Sequence, residues 1–358
     1  MLLISNAFNK PHNTAGNFFQ IFNLELRTKV SSCTMPAAVT FWRWISIETI
    51  VLVTAHAVFH WSIQGAGGRS SPVQSFERHS ALLGAQVINY QVSDDSRWFL
   101  LTGLKSGTSP GTINGTMQLY NSDLAVSQIL QGRSGVFSTI NLAGMGRDNE
   151  NAQVLCFEDC KPGQPLKLYT TEVGRDKNAV GGVFRSITQP IQMLPNDFPV
   201  AVYICNESGI TKMVSKMGYL YLFDIYSGKA IYRGRLTMDT VFATTVNSAT
   251  GGVLAITRTG QLLHIELDYN LLVPYIVRQL HDQVLAQSMA SRLGHLSTAD
   301  TRILFSDCTT TTKAVSHEPQ VHTSCPLQVF LQNIDDINCI TTVGVCRQHF
   351  HDGASVHV

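Results

Sequence analysis

Alternating apolar and polar positions recur along most of the chain. Because neighbouring side chains of a strand point to opposite faces, alternation with a period of two predicts half-buried β-strands. Six such segments begin at Phe18, Ala57, Thr116, Leu166, Tyr219 and Gln261. Six further strand-like runs lie between them, at 49–53, 85–91, 97–104, 152–157, 199–205 and 251–258.

The spacing of these segments indicates a repeat. Their starts lie 39 to 59 residues apart, and turn residues such as Tyr226-Ser227-Gly228 separate the runs. A repeat of roughly 40–50 residues that holds several short strands is typical of β-propeller blades. We therefore predict an all-β fold of the propeller type, with a generic all-β domain as the alternative.

A helical pattern begins only near residue 270. Leu272, Ile276, Leu280 and Val284 follow at steps of four, which predicts a helix over 270–294 with Pro274 in its first turn. Gly294 is suited to end this helix.

The last 64 residues hold four of the eight cysteines and six of the twelve histidines without any blade pattern. We expect them to form an unrelated, disordered tail.

Composition narrows the classes of function. The chain has 358 residues, 44% of them apolar, and a formal net charge of +1, which gives no bulk attraction to nucleic acid. Residues 41–63 are apolar but contain Arg43, Glu48, His56 and His60, and each charge at mid-bilayer would cost about 2.5–3.5 kcal/mol. Cysteines without framework spacing favour a reducing compartment, so we expect a soluble cytosolic protein.

The sequence shows no catalytic motif. It lacks a phosphate loop and a Gly-x-Ser-x-Gly elbow, and Asp94-Asp95 are neighbours whose side chains diverge. Cys156 and Cys160 could form half of a metal site, but no second half lies nearby. The zinc-capable residues of the tail have irregular spacing: Cys325, Cys339, Cys346, His349 and His351. We expect no cofactor, no metal and no enzymatic activity.

One cluster near the start suggests peptide binding. Gln20 and Phe22 are two residues apart on one strand and share a face, and Arg27 and Lys29 follow. An amide, an aromatic wall and a basic rim suit an extended peptide with apolar and acidic residues. The alternative interpretation is an ordinary strand with a solvated basic turn.

The sequence resembles the N-terminal domain of the clathrin heavy chain over about residues 18–294. The resemblance is carried by QIFNLELRTKV (20–30), VTFWRWISIETIVLVTAHAVFHWS (39–62), FERHSALLGAQVINY (76–90), TMQLY (116–120), NDFPVAV (196–202), MGYLYLFDIYSGKAIY (217–232) and GQLLHIELDYNLLVPYI (260–276). It implies a seven-bladed-type propeller followed by a helical linker. The expected partners are adaptor and accessory proteins, whose short motifs bind between blades at the cytoplasmic face of coated pits and vesicles.

The resemblance implies three peptide sites. The groove between the first two blades, for leucine-rich acidic "clathrin box" motifs, corresponds to Gln20, Phe22, Arg27 and Lys29. A top site corresponds to Gln86 and Ile88. A later groove corresponds to Trp98, Leu119 and Gln128, with Leu124 where the family has a basic residue.

The departures from the family set the expected boundaries. The family's first blade should precede Phe18, so we expect an unrelated leader at 1–17 and an incomplete propeller of about six blades at 18–267. The start of the helical linker is expected at 268–294 and the tail at 295–358. With one wall of the first groove missing, we expect an apolar peptide to bind mainly through the later groove at Trp98. The alternatives are a product that does not fold and a propeller enzyme with a site in its central channel.

Overall fold

The computed structural model describes residues 2–6, 17–63, 71–107, 112–142, 151–159, 164–174, 184–247, 251–294 and 327–332. Strands account for most of these residues, and they pair antiparallel. The described residues fall into two compact units, one ending at Tyr90 and the other beginning at Gln91.

The first unit contains two sheets of consecutive strands. One sheet has three strands, in the order β1-β2-β3, and the other has four, in the order β4-β5-β6-β7. Their bounds are β1 Leu2–Asn6, β2 Phe18–Asn23, β3 Thr28–Thr34, β4 Val39–Trp44, β5 Thr49–Thr54, β6 Ala57–Ser62 and β7 Val73–Glu77.

Four more four-stranded sheets follow along the chain, again built from consecutive strands. The first begins with β8, within which the division between the two units falls. The four sheets comprise β8 Gln86–Val92, β9 Trp98–Ser106, β10 Ile113–Asn121 and β11 Val126–Gln131; β12 Gly135–Asn141, β13 Asn151–Asp159, β14 Lys167–Glu172 and β15 Arg185–Ile187; β16 Pro199–Cys205, β17 Ile210–Ser215, β18 Tyr219–Asp224 and β19 Ala230–Arg235; and β20 Val241–Val246, β21 Val253–Thr257, β22 Leu262–Leu267 and β23 Leu327–Gln332.

This topology confirms the predicted fold class. Each four-stranded sheet is an up-and-down meander, which is the strand order of a propeller blade. Each of the six alternating segments and the six further runs contains a strand, and the burial pattern explains why. In β2, Phe19 and Ile21 are fully buried while Gln20 between them is partly exposed.

Apolar side chains fill the space between consecutive sheets. Phe19 and Ile21 of β2 pack with Ile50 of β5 and Trp61 of β6 in one cluster of the first unit. In the second unit, three further clusters join β9–β10 to β12–β14, β13–β14 to β16–β18, and β17–β18 to β21–β22. Burial of such surface contributes about 25 cal/mol per Å² and is the main force that holds the sheets face to face.

The predicted helix is present but broken. It consists of α1 (Tyr269–Tyr275), a π-helical turn (Ile276–Leu280) and α2 (Gln283–Leu293), with His281 in the left-handed conformation between the last two. Pro274 lies near the end of α1 rather than in its first turn, so that part of the prediction is wrong. Val284 is 74% exposed because Asp282 starts a new helix and shifts the apolar stripe. Gly294 ends α2 with φ 64°, as predicted.

The helical segment belongs to the same core as the last two sheets. Leu272 and Ile276 are fully buried in the cluster that includes Leu220 and Leu263, and Met289 of α2 lies in that cluster too.

Two strands come from the leader and the tail, in which the sequence predicted none. β1 pairs with β2, and β23 from the tail pairs with β22 as the fourth strand of its sheet.

Candidate functional site

The hairpin of β2 and β3 carries the first predicted site. Its turn forms because the side chain of Asn23 accepts hydrogen bonds from the backbone N–H groups of Glu25 (3.0 Å) and Leu26 (3.1 Å). Such a turn satisfies backbone donors locally and tolerates a left-handed residue. Arg27 adopts that conformation, with φ 50°, and leads the chain into β3.

The two faces of β2 have different environments. Phe19 and Ile21 face the core of the first unit, whereas Gln20 and Phe22 lie on the opposite face and are partly exposed. Across the hairpin, Phe22 pairs with Lys29 and Gln20 with Ser32. The structure thus brings Gln20, Phe22 and Lys29 together on neighbouring strands.

The tip of the hairpin adds both charge and apolar surface. Arg27 and Lys29 are exposed, and neither forms an ion pair with any residue that the structure describes. Leu26 is 70% exposed and Leu24 39% exposed at the same turn. The sequence patterns did not identify these two leucines as surface residues. Their position between Asn23 and Arg27, in the turn, is the signal that could have identified them. We call Gln20, Phe22, Leu24, Leu26, Arg27 and Lys29 the hairpin surface.

The residues of the predicted top site lie on one face of β8. Gln86 and Ile88 are both exposed, while Val87 between them is buried. Just before this strand, the buried guanidinium of Arg78 donates hydrogen bonds to the carbonyls of Leu82 (2.7 Å) and Ala85 (3.1 Å). These contacts fix the entry into β8 and leave the two candidate side chains open to solvent.

The residues of the later groove are placed differently from expectation. Leu119 pairs directly with Gln128, and Trp98 pairs with Asn121 two positions along β10. Trp98 is only 1% exposed and Leu119 is fully buried. Both belong to the cluster that joins β9–β10 to Phe137, Leu155 and neighbouring side chains.

Trp98 is therefore a core residue, and it does not stand free as an aromatic anchor. Gln128 alone of the three retains partial exposure. Peptide binding at the later groove stays a prediction, and on this burial only Gln128 of its three residues offers accessible surface.

Most of the residues considered for metal binding lie in parts of the chain that the structure does not describe. Cys160 and the tail residues Cys325, Cys339, Cys346, His349 and His351 lie outside the described residues. Within the described ranges, no group of three or more His, Cys, Asp or Glu side chains is arranged to hold a metal ion.

Among the helices described, none combines the length and apolar character needed to span a bilayer.

Known proteins similar to this chain are clathrin heavy chains. The probable clathrin heavy chain 1 of Caenorhabditis elegans is 37% identical over 283 residues, and the clathrin heavy chain of Drosophila melanogaster is 36% identical over 276 residues. The human clathrin heavy chain 2 is 35% identical over 286 residues. The alignments cover 76% to 78% of this chain.

This chain is a homologue of the clathrin heavy chains. It spans about a sixth of the length of these clathrin relatives, 16% in each case. No family model matches the chain. Among solved structures, Kluyveromyces lactis Hsv2 superposes with a TM-score of 0.46 at 11% identity, covering 71% of this chain and 69% of that chain. That likeness is too low to add to the clathrin assignment, which rests on sequence.

Proposed function

We propose that this clathrin homologue binds short, leucine-rich acidic peptides of adaptor and accessory proteins through the hairpin surface. The observation that carries the proposal is the register of the hairpin, which sets Phe22 directly opposite Lys29. The register shifts between Ile21 and Phe22, and Phe22 and Lys29 are still paired across the hairpin, so one peptide that crosses the two strands can reach both side chains. This arrangement matches a peptide in which apolar and acidic residues alternate.

Each part of the hairpin surface has a role in the proposed complex. Phe22 and Leu26 provide apolar surface for leucine side chains, and the Gln20 amide can hydrogen-bond to an extended peptide backbone. Arg27 and Lys29 attract the carboxylates. Since exposed ion pairs contribute about 0–1 kcal/mol each, the apolar contacts supply most of the affinity and the cations supply selectivity for acidic sequences.

Such a surface is suited to weak and multivalent binding. One face of a hairpin buries far less than the roughly 1,600 Å² of a standard protein interface. Many copies in a coat would convert weak single contacts into avidity. We infer that the chain acts in clathrin-dependent vesicle traffic at the cytoplasmic face of coated membranes, and that it reaches the membrane only through its peptide partners. Contact with other clathrin chains would need the leg of the full-length relatives.

A titration of a fluorescent peptide of alternating leucine and aspartate tests the proposal. The charge-reversal variant Arg27→Glu, Lys29→Glu should weaken binding at least tenfold at 50 mM salt and less at 300 mM, because salt screens exposed charges (the Debye length is about 10 Å at 0.1 M). Phe22→Ala should weaken binding at both salt concentrations.

The matched control is Arg258→Glu, Arg278→Glu, which makes the same change of charge at two exposed positions of the second unit. Peptide binding should stay within twofold of the unmodified chain in this control. If the control weakens binding as much as the hairpin variants, or the hairpin variants bind normally, the hairpin surface is not the site.

A further inference from the structure

The register of β16 and β17 brings a cysteine and a buried lysine together. Cys205 pairs with Ile210, and Tyr203 pairs with Lys212, so Cys205 and Lys212 are diagonal neighbours on one face. Diagonal neighbours lie about 7–8 Å apart, within reach of a long side chain. The Lys212 side chain is long enough to bring its ammonium group toward the sulfur.

Hydroxyl groups surround the sulfur of Cys205. The Oη atom of Tyr269, the first residue of α1, lies 3.2 Å from the Cys205 Sγ atom. Ser208 is fully buried next to this sulfur, and its hydroxyl has no hydrogen-bond partner of normal geometry among the described residues. A hydrogen bond from the Gly209 N–H to the Cys205 carbonyl (2.8 Å) closes the turn that holds Ser208 there.

The buried ammonium of Lys212 requires a negative partner. Lys212 is 3% exposed, and its Nζ donates to the carbonyl of Gly251 across 2.8 Å. A carbonyl satisfies one donor but leaves the charge unpaired, which is costly in a buried site. Burial lowers the pKa of Lys212, and the charges of Cys205 and Glu266 act in the opposite direction by favouring the ammonium form. A thiolate at Cys205 would therefore stabilise both charges.

Burial and these contacts have opposite effects on the pKa of the Cys205 thiol. Burial by itself raises the pKa of Cys205, but the nearby polar groups of Ser208, the Tyr269 hydroxyl and the charge of Lys212 outweigh it, and the net pKa is lowered. At the other described cysteines burial dominates, at Cys156 in spite of hydrogen bonds from the Thr170 and Thr211 hydroxyls. Burial raises the pKa of Cys33 to about 12 and that of Cys156 to about 11.

We propose that Cys205 is a reactive thiolate that hydroperoxides oxidise reversibly to a sulfenic acid. The side chain is partly exposed, so a small oxidant has access to it. In the reaction, the sulfur attacks one oxygen of hydrogen peroxide and the O–O bond breaks. With one proton from solvent, the products are Cys–SOH and water, and the sulfur loses two electrons to the peroxide.

Oxidation would also change the local charge balance. The thiolate is lost, so Glu266 remains as the negative partner of Lys212 among the described residues, and that carboxylate already lies 3.0 Å from Nε2 of His264. The titratable groups that face the site are Glu207 in the turn, Lys212 on β17, His264 and Glu266 on β22, and Tyr269 on α1.

Alkylation by iodoacetamide, read cysteine by cysteine through peptide mass spectrometry, tests the thiolate in the full chain. The rate at Cys205 should rise with a midpoint at least one pH unit below the value of about 8.5 for an ordinary cysteine. Lys212→Met should raise this midpoint by about one unit, whereas Lys212→Arg, which keeps the charge, should leave it nearly unchanged. An ordinary or higher midpoint at Cys205 would overturn the proposal, and so would a rate as slow as that of buried Cys156.

Treatment with hydrogen peroxide in the presence of dimedone, which traps sulfenic acids, tests the oxidation. Cys205 should be labelled at least tenfold faster than Cys156, and Tyr269→Phe, which removes one donor to the sulfur, should slow the labelling. If Cys205 is alkylated at low pH but never acquires dimedone, the oxidation is wrong.

Discussion

The guanidinium of Arg292 donates a hydrogen bond from Nη2 to Oδ1 of Asp224, across 2.7 Å. Arg292 lies on α2 and Asp224 at the end of β18, so this ion pair connects the helical segment to a sheet. The carboxylate is 2% exposed, and the guanidinium also stacks on the ring of Tyr226 with 4.6 Å to the centroid. A planar, charged side chain with a fixed fork of donors suits both contacts.

Arg292→Met should destabilise the second unit by about 3 kcal/mol. The substitution preserves most of the apolar contact but leaves Asp224 buried without its counter-charge, and removal of one partner from a buried pair is strongly destabilising. Urea unfolding followed by circular dichroism measures the change. The control Arg278→Met, at an exposed position of the π-helical turn, should change stability by about 0.5 kcal/mol or less. Equal effects of the two substitutions would argue against the ion pair as an anchor.

Trp98 and Leu119 should contribute to stability rather than to peptide recognition. Both are buried between sheets, so Trp98→Ala should cost about 3–5 kcal/mol and Leu119→Ala about 2–5 kcal/mol in the free energy of unfolding. Gln128→Ala, at the partly exposed position opposite Leu119, serves as the control with a cost of about 0.5 kcal/mol or less. Peptide affinity per folded molecule should be unchanged. A loss of affinity in a fully folded Trp98→Ala variant would restore the later groove as a binding site.

Local patterns predicted the strands whose apolar residues alternate or form a continuous run, but not those of mixed composition. The run Phe18–Asn23 alternates and is β2, as expected. The run Ile210–Ser215 reads as polar because it contains Thr211 and Lys212, yet all six residues of β17 are buried. The Lys212 ammonium donates a hydrogen bond to the carbonyl of Gly251, about 40 residues away in the chain. A local pattern contains no information about such a distant partner.

For the candidate sites too, local patterns predicted the face of a strand but not what packs against it. Alternation correctly placed Gln20 and Phe22 on one face of β2, and the cations were correctly placed at the hairpin end. For Trp98, alternation gave the face but not the neighbouring sheet, because the cluster that contains Trp98 also includes Phe137 and Leu155 from later strands. Whether a side chain belongs to a groove or to a core depends on packing between sheets, which the sequence of a single strand does not specify.

Gly228 should be one of the least replaceable glycines of the second unit. It has φ 69°, and an added Cβ would lie 2.4 Å from the carbonyl oxygen of Ile187, a backbone atom that cannot move aside easily. Gly228→Ala should therefore cost about 2–5 kcal/mol, from left-handed strain and the clash together. Gly294 has a similar φ of 64° but nothing within 4 Å, so Gly294→Ala should cost only about 1 kcal/mol. Thermal unfolding of both variants checks the difference, and equal shifts in Tm would mean that the contact with Ile187 is not constraining.

His60 should make the stability of the first unit depend on pH. Its Nε2 atom lies 2.8 Å from the Tyr90 hydroxyl, and burial lowers the pKa of His60 to about 4. Between this value and the ordinary 6.5, the unfolded chain binds the proton that the folded chain excludes. The stabilising effect of a neutral His60 is therefore fully present above pH 6.5, and it is lost as the pH falls toward 4. The full shift corresponds to about 3 kcal/mol.

Urea unfolding at pH 7.5 and pH 5 measures this dependence. At pH 5 the unmodified chain should be about 2 kcal/mol less stable than at pH 7.5 from this group alone. His60→Gln keeps a polar side chain next to Tyr90 but cannot titrate, so the difference between the two pH values should shrink by that amount. His56→Gln removes an exposed histidine from the same unit and serves as the control, in which most of the pH difference should remain. If His60→Gln retains the full pH difference, the loss of stability arises from other groups, and His60 is not the group that titrates.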